Sequence, residues 1–87
     1  MPLTIGLVHA LYTDAAGGNL VEACVWIGPS PANVELLTLT RQVSDPVRVD
    51  AFKVSMLDLL VQALASRREV IVGHEEWDPS IYSVELR

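Results

Sequence analysis

His74-Glu75-Glu76-Trp77-Asp78 is the stretch of this chain richest in groups that could do chemistry. In extended chain His74, Glu76 and Asp78 fall on one face. An imidazole with two carboxylates can hold Zn, Mn or Fe. His9, in a separate apolar stretch, could add a second imidazole, so His9, His74 and Glu76 form the candidate metal set. The competing account is a charged turn before Pro79, kept soluble by its carboxylates. Real sites usually recruit ligands from separate elements, and a histidine in an apolar strand is more often a satisfied core residue. Cys24 could be a nucleophile with His9 or His74 as its base. Nothing beside it in sequence favours a thiolate, neither an adjacent base nor a helix N-terminus, so it reads as buried and inert.

The aromatic residues offer a different chemistry. Trp26, Trp77, Tyr12 and Tyr82 could form a stacking platform for single strands, but the basic partners such a platform needs are missing. Trp77 stands in an expected turn, where a core role is least expected of it. Trp77, Tyr12, Glu75, Glu76 and Asp78 are therefore the candidate binding residues, suited to a small ligand, a saccharide or another protein. Asp14-Ala15-Ala16-Gly17-Gly18 has no phosphate-loop pattern, and no cofactor-binding pattern is seen elsewhere.

Composition narrows the function classes. Eighty-seven residues make one domain with a modest core. Hydrophobic content is 51% and mean hydropathy is +0.35, more apolar surface than so small a body can hide. Net charge is −5 with six Lys and Arg, which disfavours nucleic acid and anionic membranes as partners. One cysteine excludes an intrachain disulfide, and the start lacks a basic, cleavable leader. The expected place is the cytoplasm. No apolar run approaches a membrane span of roughly 18–20 residues.

The elements that must position these groups are mostly strands. Leu3 to Tyr12 alternates, with Leu3, Ile5, Leu7, His9 and Leu11 on one face and Thr4, Gly6, Val8, Ala10 and Tyr12 on the other. Gly6 suggests a bulge or bend. A turn over Asp14–Asn19 leads to a second strand, Leu20 to Ile27, with Val21, Ala23, Val25 and Ile27 as its apolar face. Gly28-Pro29-Ser30-Pro31 should stop it. Val34 to Arg41 is the third strand, with Leu37 and Leu39 on one face. Glu69 to Glu75 is the fourth, Glu76 to Ser80 a turn, and Ile81 to Leu86 the last.

One stretch has a helical period: Lys53 to Ser66, where Met56, Leu57, Leu60, Ala63 and Leu64 share a face widened by Leu59. Ser55, Asp58, Gln62 and Ser66 form a polar stripe opposite. Two starts compete. Asp45 with Pro46 at the first helical position would give a helix of about 21 residues. The alternation of Val47, Val49 and Ala51 favours instead a short extended lead-in, with a capping box at Ser55 and Asp58.

The order β-β-β-α-β-β predicts an α+β, mainly β domain: a five- to six-stranded OB-like barrel with one principal helix, spanning residues 1–87. Lys53 through Ala65, Val70-Ile71-Val72 and Ile81-Tyr82-Ser83-Val84-Glu85-Leu86 resemble the second half of small single-domain OB-fold barrels. The B subunits of bacterial toxins are an oligomeric example, from which this chain departs in having no leader and no cysteine pair. The resemblance implies architecture and assigns no functional residue. The expected function is a non-enzymatic interaction or assembly module that self-associates, with no cofactor. The alternatives are a small-ligand or saccharide binder at Trp77, or a metal-dependent site at His9, His74 and Glu76.

Overall fold

The computed structural model of the chain describes residues 3–14, 20–42 and 44–87. Five strands and one helix follow in the order β1 (Leu3–Asp14), β2 (Leu20–Ser30), β3 (Asn33–Gln42), α1 (Val47–Ser66), β4 (Glu69–Glu75) and β5 (Asp78–Leu86). The strands close into a barrel, β1-β2-β3-β5-β4, with β4 returning to β1. All pairings are antiparallel except β3 with β5, which meet in parallel at Thr38 and Ser80. The expected mainly β barrel with one helix, in the order β-β-β-α-β-β, is the fold observed, with five strands.

Alternation explains the core. Val8, Ala23, Val25, Ile27, Leu37, Leu39, Val70, Val72 and Ile81 point inward and are buried. The helix adds Leu60 and Ala63, and Met56 and Leu57 pack around them. The expected apolar face of β2 is in place at Ala23, Val25 and Ile27. The turn expected over Asp14–Asn19 falls on residues 15–19, outside the described residues, as does the side chain of Val21.

Three local expectations are corrected. The bulge of β1 is at His9, not Gly6: the register slips between Val8 and Ala10. Beyond it the phase reverses, so that Leu11 packs on the core while Ala10 and Tyr12 are exposed. Gly6 serves close approach instead, since a Cβ there would stand 2.6 Å from the Gly28 carbonyl carbon. Next, β2 does not stop at Ile27 but runs to Ser30, where it pairs with Asn33 around Pro31 and Ala32. The register shift between Ile27 and Ser30 accommodates Pro29, which has no N–H to give the ladder. Likewise the last turn is only Glu76 and Trp77, and Asp78–Ser80 belong to β5.

The helix start is the largest correction. Val47–Ala51 is helical, not an extended lead-in, and α1 has 20 residues beginning after Pro46. Asp50 N–H donates to the Pro46 carbonyl at 2.9 Å, closing the first turn. Asp45 does not cap it. Its carboxylate accepts from the Gln42 N–H and from Lys53 Nζ, each at 2.9 Å. Arg41 donates to both Asp50 oxygens at 2.8 and 2.9 Å. These two ion pairs hold the first two turns against the end of β3, and Ser55 and Asp58 are left in the middle of the helix. The helix ends at Arg67, which takes the left-handed conformation at φ 54°, ψ 42° and donates its N–H to the Ala63 carbonyl. No helix among the described residues is long and apolar enough to cross a membrane.

Candidate functional site

Glu35, Thr4 and His74 meet at one mouth of the barrel. Glu35 has the same strand phase as the buried Leu37 and Leu39, and it pairs with Ile27. Thr4 pairs with Val72 near the start of β1. His74 follows Val72 on β4. Inward phase that gives aliphatic side chains at mid-barrel thus gives three polar ones at its rim. Thr4 and His74 are buried, His74 to 5% exposure, while the Glu35 side chain is about half exposed.

The three form one hydrogen-bonded chain. Thr4 Oγ1 bonds the Glu35 carboxylate and lies 2.8 Å from His74 Nε2. His74 Nδ1 lies 2.7 Å from the Glu75 carbonyl oxygen, so that nitrogen must donate. Thr4 Oγ1 thus bridges an exposed carboxylate and a buried imidazole, donating to Glu35, and His74 Nε2 stands 4.0 Å from Glu35 Oε2.

An open cleft of about 240 Å³ lies beside this chain, lined by Glu35, Leu36, Leu37, His74 and the segment Glu75–Pro79. Trp77 is 83% exposed there. Asp78 accepts from the Ser80 N–H at 2.9 Å, and that bond holds its carboxyl below the usual aspartate range. Glu75, Glu76, Trp77 and Asp78 are therefore gathered at one site, whereas Tyr12 pairs with Cys24 on the outer surface of β1 and β2. Trp26 shares that outer surface, where a second shallow cleft of about 260 Å³ is lined by His9, Ala10, Trp26, Pro31 and Val34. Tyr82 donates to the His74 carbonyl at 3.4 Å.

The expected metal set does not come together. His9 sits at the bulge with Nε2 2.9 Å from the Gly28 carbonyl. His74 turns into the barrel while Glu76 is exposed in the turn, so they share no face; register shifts flank His74 on both sides. Among the described residues no group of three or more His, Cys, Asp or Glu is placed to hold a metal ion. Cys24 Sγ is 3.6 Å from Glu22 Oε1. Sequence reasoning missed Thr4 and Glu35. The signal was phase: each is a polar residue in register with the inward aliphatic positions of its own strand.

Comparison with protein-family models, with curated proteins and with solved structures gives no match to this chain.

Proposed function

We propose that this chain is a small non-enzymatic assembly module, an OB-like barrel that self-associates through apolar side chains its own fold leaves outside. One observation carries the reading. Val47, Val49, Phe52, Val54, Val61 and Leu64 are exposed on a single helix, Phe52 to 64% and Val47 to 88%. Apolar area left in water forgoes roughly 25 cal/mol per Å² that burial would return. Leu3, Ile5 and Leu36 add exposed apolar surface on the strands. The strands close into a barrel in which β3 and β5 meet only at Thr38 and Ser80, and in this reading association rests on the exposed apolar side chains. In this reading the partner is another copy, in the cytoplasm. Nucleic acid and membranes are disfavoured by the −5 charge. Light scattering coupled to size exclusion at low micromolar concentration should give a multiple of the 9.5 kDa chain mass. A single peak at the chain mass would overturn the proposal.

A second reading rests on the cleft beside Trp77. An exposed indole above four carboxylates, Glu35, Glu75, Glu76 and Asp78, suits a saccharide or a cationic small ligand. Trp77→Ala should abolish any ligand-induced shift in the amide spectrum of residues 74–78. A screen of glycans and amines that moves none of these signals removes the reading.

A further inference from the structure

The exposed apolar residues of α1 are not scattered. Val47, Val54 and Val61 recur every seven residues, and Leu57 and Leu64 follow at the next position of the same repeat, three residues after a valine. Spacing of this kind, valine at one seam position and leucine at the other, is that of a two-stranded parallel coiled coil. The valines stand about a third of a turn round the helix from the buried Leu60, while the leucines lie nearer the barrel: Leu57 packs beside the core and Leu64 lines a small cleft with Leu7, Val8 and His9. Val54 and Val61 are 41% and 46% exposed, and Leu57 is half-buried at the seam's inner edge.

We infer that this face of α1 is a homodimer seam, on which two copies pack their helices in parallel about a two-fold axis. The inference rests on the self-association reading and names its surface. Charge favours a second copy as the occupant. The helix carries Arg48 and Lys53 against Asp50 and Asp58, a net charge of zero, whereas the whole chain carries −5. The helix therefore adds no net charge to a contact between two acidic copies. Asp50 occupies a seam position ahead of Leu57, and its carboxylate is already engaged by Arg41. A self-complementary row of valines and leucines also needs no second partner type to be covered.

The test compares oligomeric mass and helix orientation in the full chain. Val54→Lys and Val54→Glu each alter an exposed position, and circular dichroism should show both folded. Each alone should run at the chain mass, and their equimolar mixture should regain the dimer mass. Phe52→Glu, off the seam, should remain a dimer. In a Cys24→Ser background, Val47→Cys and Val61→Cys should each form a symmetric disulfide under mild oxidation. If the native chain associates and both Val54 variants associate equally, the seam is overturned while self-association stands. If cross-links form only between Val47→Cys and Val61→Cys copies, the parallel arrangement is overturned. A native chain that is monomeric overturns the seam and the self-association reading together.

Discussion

Leu60 is fully buried on α1, and Gln62, two positions on, is exposed. Replacing Leu60 by Ala removes methyl groups from a closed barrel that cannot collapse around the loss. Leu60→Ala should therefore lower stability by about 2–5 kcal/mol, while Gln62→Ala should stay within about 0.5 kcal/mol. Urea melts of the two variants decide it, and equal effects would mean the helix face is wrongly assigned. Both side chains were legible from spacing alone, because a helix buries residues three and four apart. Glu35 and Thr4 were not. A polar residue in an inward phase can end the strand, flip outward or find partners, and only the meeting of three strands shows which.

At the scale of the element, α1 is held at both ends by devices of unequal legibility. Arg67 adopts a left-handed conformation that a Cβ disfavours. Arg67→Gly should raise stability by roughly 0.5–1 kcal/mol, measured by thermal or urea unfolding, because glycine enters that region freely. A loss would show that the arginine side chain contributes more than its backbone costs. At the other end the Arg41 guanidinium lowers the Asp50 carboxyl from its ordinary value, and Lys53, with the Gln42 N–H, lowers Asp45. A carboxyl depressed by folding stabilises the native state above its unfolded value, about 3.9, and loses that contribution as pH falls through the folded value. Asp50→Asn should thus be less stable than the native chain at pH 7, and the difference should vanish in strong acid. A difference that persists unchanged in acid would refute the ion pair as its source. The same pairs explain why the helix begins at Val47. The alternation of Val47, Val49 and Ala51 fits a strand locally, but Arg41 and Asp45 lie outside that window and engage charges that only a helix presents to them.

For the whole molecule, the acid balance and the surface predict what it ignores. Carboxylates line the Trp77 cleft, and the chain has only six Lys and Arg. Binding to single-stranded DNA or RNA should be undetectable at physiological salt by fluorescence anisotropy. Micromolar affinity with a steep salt dependence would contradict this. On the self-association reading, the apolar side chains exposed along α1, Val47 and Phe52 foremost, are the surface through which two copies would meet.

By itself the sequence determined the order of the elements, the apolar face of β2 and the buried stripe of α1. Each follows from a period of two or of three to four, and such periods are written in neighbouring residues. Tertiary structure decided the rest. The bulge at His9 reverses the phase of β1 because β2 must be matched across it. The helix start depends on ion pairs between separate elements. His74 looked like a partner of Glu76, five letters of one charged run, yet it turns inward to Thr4 and Glu35, which are 70 and 39 positions away in the chain. Closing the barrel brings those strands to one rim, and no pattern within a single strand encodes which residues a rim will gather.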